Sequence, residues 1–264
     1  MYLLRRVLPL TGLIGAAHCY TKESDYGENL AGTPSHEVFP RQKWNSNWDL
    51  REPVTNSDTE NSTSDFEEKI PTKRRNIILI RHGQYVIDSK DRWLTELGKE
   101  QAALIGERLA ASGLKFTKLT MSTMNRATET ANIILTKLPE SLPRSSDSLL
   151  EEGAPYPPEP SHLTWKPDMQ HFYREGSRIE AAFRKYIHRA PPEQAENSYE
   201  IIVCHGNVIR YFVCRALQFP VEGWLRLSLA NCSLASLIVY PDGTVALNGF
   251  GDLGHIPHDK ITYN

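Results

Sequence analysis

Two apolar runs in this chain each end in a histidine and a glycine. The first, at 76–83, reads NIILIRHG, and the second, at 199–207, reads YEIIVCHGN. Arg81 offers a planar fork of donors that matches the oxygens of a phosphoryl or carboxylate group. His82 titrates near neutrality and can act as nucleophile, acid or base. Gly83 lets the backbone approach a ligand with no Cβ in the way. On the later stretch, Val208, Ile209, Phe212, Val213 and Ala216 recur at helical spacing directly after Gly206. His205 and Gly206 therefore sit where a strand becomes a helix, and the free amides and positive dipole end of that helix attract anions. The tripeptide at 81–83 alone can also be an ordinary surface turn. Two strand-end histidines, one beside an arginine, point instead to one pocket for a tetrahedral anion.

A phosphate monoester is such an anion. Its transfer needs an in-line nucleophile, cations on the equatorial oxygens and a proton for the leaving group. His82 is the candidate nucleophile, forming a phosphohistidine that water hydrolyses. Its second ring nitrogen needs an acceptor to fix the tautomer, and the sequence does not name that acceptor. Arg81 and Arg126 are the candidate clamps on the oxygens. Arg126 lies at a strand-to-helix junction, a place that also suits a capping arginine. His205 and the Gly206 amide would stabilise the transferring group, and a dianion beside His205 favours its cationic form. Glu151 and Glu152, adjacent on a loop, are the candidate proton donors. No cofactor or metal is called for, and His255 and His258 read as tail residues. A competing enzyme class is written in CHGNVIR at 204–210, which fits C-x5-R, with Cys204 as a thiolate at a helix N-terminus. That reading leaves Arg81, His82 and Arg126 without a role.

Arg-His-Gly after a buried strand, with a later His-Gly opening a helix, resembles the histidine phosphatase (phosphoglycerate mutase-like) superfamily. LTELG at 94–98 and STMNRATET at 122–130 agree with it. LLEEGAP at 149–155, RIEAAFRKYIHRA at 178–190 and VIRYFVCRALQFPVEGWLRLSLAN at 208–231 are similar to the mitochondrial serine/threonine protein phosphatases of that superfamily. Several separated motifs in the right order are far more specific than one tripeptide. The resemblance spans about residues 73–264. It implies an α/β fold with a mostly parallel central sheet flanked by helices. It also implies phosphoprotein substrates and a histidine nucleophile. Because the acid of the similar phosphatases directly precedes Gly-Ala-Pro, it selects Glu152 over Glu151. Mutases of the superfamily carry their acid before Arg-His-Tyr-Gly, which is lacking here, so hydrolysis is expected. Phosphohistidine or a small phosphorylated molecule remains an alternative substrate. A scaffold that recruits partners remains the alternative to an enzyme.

The elements that must position these residues read as alternating strands and helices from residue 73 onward. Leu97, Leu104, Ile105 and Leu109 mark a helix ending near Gly113. Residues 116–124 predict the next strand. Ala127, Ala131, Ile134, Leu135 and Leu138 mark a second helix, and 149–165 is a proline-rich ordered loop. Ile179, Ala182, Phe183, Tyr186 and Ile187 mark a third. Residues 233–240 and 244–247 predict a hairpin across Pro241-Asp242-Gly243.

The chain has 264 residues, 40% hydrophobic and 23% charged, with a formal net charge of -2. These are globular values, and the charge argues against nucleic acid as a partner. Four cysteines without metal spacing give no disulfide framework or zinc site. Residues 1–20 carry Arg5, Arg6 and an apolar run over 7–17. That run is shorter than the ~20 residues of a spanning helix. Its composition fits a secretory signal or a mitochondrial targeting and anchoring segment. The resemblance points to mitochondria, at the outer membrane, with the inner membrane or intermembrane space as alternative. Residues 21–72 read as a polar, acidic linker. One island interrupts it: KWNSNWDLR at 43–51. Two tryptophans there have no local core. They either fold back on their own catalytic domain or dock on a partner, since Trp and Arg are favoured interface anchors. The stretch resembles the WDxNWD multimerisation motif of the similar phosphatases, with Asn45 in place of the first aspartate. That implies a homo-oligomer, a dimer or larger assembly up to a dodecamer, built through Trp44, Asn47, Trp48 and Asp49.

Overall fold

The computed structural model describes residues 43–53 and 70–263. The expected targeting segment and most of the linker lie outside the described residues. Among the described residues no helix is long and apolar enough to cross a membrane.

The central strand is β1, Arg75–Arg81, and every residue of it is buried. A strand with no polar face must be covered on both sides. Its alternating side chains divide between two cores. Ile77 and Leu79 join the core built with Ile179, Phe183 and Phe212. Ile78 and Ile80 join the core built with Ile105, Leu109 and Ile134. The first core is capped by helices α3 (Met169–Tyr186) and α4 (Gly206–Ala216). The second is capped by α1 (Glu96–Ala111) and α2 (Asn125–Leu135). On either side of β1 lie β4 (Ser198–Cys204), parallel to it, and β5 (Leu234–Val239), antiparallel. Beyond β4 come β2 (Lys118–Ser122) and β3 (Arg144–Asp147), both parallel, and beyond β5 comes β6 (Val245–Asp252), antiparallel. The sheet is thus mostly parallel and flanked by helices, as expected.

The helix signals translate directly. The Thr95 hydroxyl accepts from the Gly98 amide and caps α1, and Asp168 accepts from the His171 amide and caps α3. Gly113, at φ +70°, takes the left-handed position after α1. Two strands depart from the sequence reading. β3 reads RSSD, a polar edge strand held by its backbone pairing to Leu119–Ser122, so no apolar run announced it. β6 extends to Asp252 rather than stopping at Leu247, because register shifts opposite Ser236 let a Gly-containing stretch stay paired.

The tryptophan island packs on this chain's own domain. Trp48 is buried, stacks 5.7 Å from the Phe183 ring and donates its Nε1–H to the Gly243 carbonyl at 2.7 Å. Asp49 pairs with Arg189 at 2.8 Å, with both side chains only 1% exposed. The Gln218 amide closes the contact on the main chain of Asn45 at 3.0 and 2.9 Å. Residues Trp44 onward thus belong to the same compact unit as the sheet and its helices. Trp44 itself is exposed. Removing one partner of a fully buried pair costs about 3–5 kcal/mol. Asp49→Ala is therefore expected to undock this segment, lower the thermal midpoint and red-shift the Trp48 fluorescence. An unchanged spectrum would count against the buried pair as its anchor.

At the same end of the sheet, Arg75 grips Glu200 with two bonds of 2.7 and 2.8 Å, and Lys118 adds a third at 3.0 Å. These bonds outweigh the cost of burial and hold the Glu200 carboxyl at about 2, below its ordinary 4.5. A carboxyl whose folded pKa is depressed stabilises the fold fully above its unfolded value and loses that contribution as pH falls through the folded one. Stability should therefore fall between about pH 4.5 and 2. Glu200→Gln should flatten that limb in a series of acid denaturation curves.

Candidate active site

The register that sets Arg81 beside Cys204 carries the next residues, His82 and His205, into contact. Their rings lie 5.1 Å apart between centroids. His82 Nδ1 donates to the Gly83 carbonyl at 2.8 Å, the acceptor that the sequence left unnamed. That bond fixes the tautomer and leaves Nε2 as a lone pair, which accepts from Arg126 Nε at 3.1 Å. Arg126 stands on the first turn of α2, its guanidinium 4.9 Å over the Tyr85 ring. His205 Nε2 meets the Ser122 hydroxyl at 2.8 Å, so the end of β2 joins those of β1 and β4. Its Nδ1, buried and without a hydrogen bond among the described residues, is its one uncommitted nitrogen.

Arg81 Nη1 donates to the Leu229 carbonyl at 2.6 Å, and both Nη atoms approach the Tyr263 carbonyl at 3.3 and 3.4 Å. Glu152 is drawn in from the loop after β3. Its carboxylate accepts from the Gly153 amide at 3.2 Å and from the Asn207 amide at 3.4 Å, at the start of α4. Glu151 instead turns to the Thr123 hydroxyl. Arg178 of α3 pins the same loop by donating to the carbonyls of Leu149, Glu151 and Glu152 at 2.9, 2.7 and 3.1 Å. The structure thus brings Arg81, His82, Arg126, Glu152, His205 and Gly206 to one crevice. Sequence reasoning missed Ser122, Arg178, Asn207 and Arg210. Of these, only Arg210 had a local signal, and it was read as half of C-x5-R.

Burial of the Glu152 carboxyl raises its pKa, opposed by the Gly153 amide, Arg81, the Asn207 amide and Arg126. Burial and the nearby arginines hold both imidazoles well below their ordinary value. For His205 burial comes first, then His82, Arg126 and Arg81, so its cationic form depends on the charge of a bound dianion. Cys204 departs from the role that C-x5-R would give it. It is fully buried within the apolar core of β4 and its thiol is pushed up by that burial. A thiol raised in this way is a poor source of thiolate.

Glycine fixes the backbone around His82. A Cβ on Gly83 would stand 2.5 Å from the Gly98 carbonyl oxygen, and one on Gly98 would stand 1.9 Å from that of Gln84. The LTELG motif therefore exists to let α1 press against the strand-to-loop corner that carries the histidine.

A family model described as the histidine phosphatase superfamily (branch 1) matches residues 77–250. The chain belongs to the histidine phosphatase superfamily. Within it, the chain is 54% identical over 252 residues to the serine/threonine-protein phosphatase Pgam5, mitochondrial, of Caenorhabditis briggsae, covering 92% of this chain and 89% of that relative. It is 52% identical over 231 residues to the Homo sapiens protein named serine/threonine-protein phosphatase PGAM5, mitochondrial, covering 83% and 80% of the two chains. Among solved structures, a phosphoglycerate mutase from Plasmodium falciparum aligns with a TM-score of 0.51 at 34% identity, over 73% of this chain and all of that one. A Bacillus stearothermophilus protein, YhfR, shares the fold at a TM-score of 0.53 and 20% identity, covering 69% of this chain. In this histidine phosphatase fold, Gly98→Ala is expected to displace the His82 corner. The activity of the variant should fall at least tenfold, because small misplacements of a reacting group cost that much or more. Cys204→Ser should leave phosphatase turnover within about twofold. Steady-state assays with a phosphopeptide check both.

Proposed function

We propose that this chain is a protein serine/threonine phosphatase that hydrolyses phosphomonoesters through a phosphohistidine on His82. The observation that carries the reading is the state of His82. It is neutral, its Nδ1–H is spent on Gly83, and its Nε2 lone pair faces Arg126, with Arg81 alongside. A neutral, oriented imidazole among fixed guanidinium groups is a nucleophile already aimed at an anionic phosphoryl group. Arg126 would pass its donors from His82 Nε2 to a phosphoryl oxygen as the substrate enters. Nε2 then bonds to phosphorus while the ester P–O bond breaks, and protonated Glu152 gives its proton to the departing serine or threonine oxygen. A water next attacks the phosphohistidine, Glu152 takes back a proton, and phosphate leaves. Arg81 and Arg126 bind the oxygens, and His205 with the Gly206 amide stabilises them in flight. Gly83 keeps the approach open.

The names of the relatives at 52% and 54% identity support protein serine/threonine substrates and a mitochondrial address. The mutase at 34% identity shares the fold, but the residues around Glu152 here lack the mutase signature noted above. We further propose that residues 1–20 anchor the chain at the outer mitochondrial membrane, that 21–72 link this anchor to the catalytic domain at 73–264, and that within them the segment from Trp44 docks on that domain. The catalytic domain would assemble into homo-oligomers through Trp44, Asn47, Trp48 and Asp49, which raise its activity. The site formed by Phe183, Arg189 and Gly243 takes this motif within one chain and would take it equally from a neighbour. Size measured by light scattering should collapse toward the smallest species in Trp48→Ala. A full-sized assembly in that variant would remove the motif from the interface.

The decisive experiment on the chemistry compares His82→Ala with Glu152→Gln on a phosphoserine peptide. His82→Ala should abolish turnover and the acid-labile phosphoenzyme that rapid quenching traps from the intact protein. Glu152→Gln should slow turnover by about 10² to 10⁴. Because a general acid works only while protonated, kcat/KM should fall as pH rises through the raised Glu152 pKa, and this limb should vanish in Glu152→Gln. A stable turnover in His82→Ala would end the histidine mechanism.

A further inference from the structure

Arg210 lies one turn into α4, and its guanidinium is oddly placed for a structural arginine. Its Nε is buried without a hydrogen bond among the described residues. No carboxylate among them lies within the 4.0 Å of an ion pair. It approaches the anion-binding corner, since a Cβ on Gly206 would stand 3.7 Å from its Nη1 and 3.5 Å from Arg81 Nε. Its one described hydrogen bond runs from Nη1 to Asn207 Oδ1 at 3.2 Å. That single bond decides how the Asn207 amide is turned. With Oδ1 committed to Arg210, Nδ2 faces the other way and donates to the Gly153 carbonyl at 2.9 Å. Asn207 also gives its main-chain amide to Glu152 Oε2 at 3.4 Å. The loop bearing Glu152 is therefore fastened from two helices. Arg178 holds it by three main-chain carbonyls from α3, and Arg210 holds it through Asn207 from α4.

We infer that Arg210 and Asn207 are positioning residues for proton transfer by Glu152, acting on departure of the leaving group rather than on binding of the phosphoryl group. The inference rests on the reading of Glu152 as the general acid. Asn207 meets the Glu152 carboxylate through its main-chain amide and the Gly153 carbonyl through its side chain, so a substitution keeps the first contact and frees the loop beside the carboxyl by loss of the second. Arg210 adds to the positive charge of Arg81 and Arg126 that Glu152 faces once it has given up its proton. Its pKa is lowered by burial and raised again by Glu152 alone, which agrees with that pairing. A purely structural arginine would have been expected to end on main-chain carbonyls or a carboxylate, as Arg178 does.

The leaving group separates this role from the alternatives. Serine departs as a poor leaving group and needs its proton, whereas p-nitrophenolate departs with little help. The full chain is assayed on a phosphoserine peptide and on p-nitrophenyl phosphate, as wild type, Glu152→Gln, Arg210→Ala, Arg210→Lys and Asn207→Ser. Arg210→Ala and Asn207→Ser should lose about 10- to 100-fold in kcat on the peptide and less than about threefold on p-nitrophenyl phosphate. Arg210→Lys, which keeps a donor for Asn207 Oδ1, should recover most of the loss. In a Glu152→Gln background, Arg210→Ala should cost almost nothing more on the peptide. Equal losses on both substrates would place Arg210 on the phosphoryl group itself and overturn the inference, as would full additivity with Glu152→Gln. If Glu152→Gln itself shows no difference between the substrates, the general-acid reading fails with it. If Arg210→Ala does not fold, Arg210→Lys and Asn207→Ser carry the same comparison.

Discussion

Three guanidinium groups, from Arg81, Arg126 and Arg210, are held close together in a partly desolvated crevice, and Glu152 is the anion that acts on all three. Crowded cations repel one another, and burial makes each costlier. The fold answers with neutral dipoles. Arg81 is tied to the Leu229 and Tyr263 carbonyls, and Arg126 to a ring face, a thioether and an imidazole lone pair. Such partners orient a guanidinium without neutralising it. Burial first, and the surplus positive potential after it, keeps the two histidines uncharged, and an uncharged histidine is the one that can attack phosphorus. Electrostatic strain in the ligand-free fold and readiness for an anion are two sides of one arrangement.

Holding those groups in place depends on contacts that leave no spare room. Gly83 and Gly98 are packed backbone against backbone, so the nucleophile's corner is set by α1 as firmly as by β1. The docked tryptophan segment extends this bracing. It meets α3 at Phe183, the same helix whose Arg178 grips the acid loop. The segment that the sequence marks as an interaction motif thus adjoins an element that shapes the chemistry.

The parts of the fold that the sequence revealed are those governed by local patterning. The unbroken apolar run of β1, the periodic stripes of α1 to α4 and the Thr95 and Gly113 punctuation all act within a few residues. His82, Arg81 and His205 were legible because each sits where such a pattern stops. β3 was not legible, since RSSD owes its extended shape to a neighbour's backbone. The Gly83 carbonyl, Ser122 and Arg178 were hidden for a related reason. A main-chain acceptor carries no residue code, and a serine or arginine gains its role only from register and crossing. The burial of His205 was hidden too, because the sequence names the charges in the pocket but not how deeply they lie.

The parity of β1 has a further consequence. Odd-numbered Ile77 and Leu79 look toward α3 and α4, whose Arg178 and Asn207 hold the loop of Glu152, the proposed proton donor. Even-numbered Ile78 and Ile80 look toward α1 and α2, and α2 carries Arg126, the proposed clamp on the phosphoryl oxygens. The sheet is thus a partition, with the nucleophile just past the carboxyl end of its central strand and a separate half of the proposed machinery on each side. Inherited or engineered variation along one strand would be sorted by whether its position is odd or even, and one half of the catalytic apparatus could drift while the other stays under constraint.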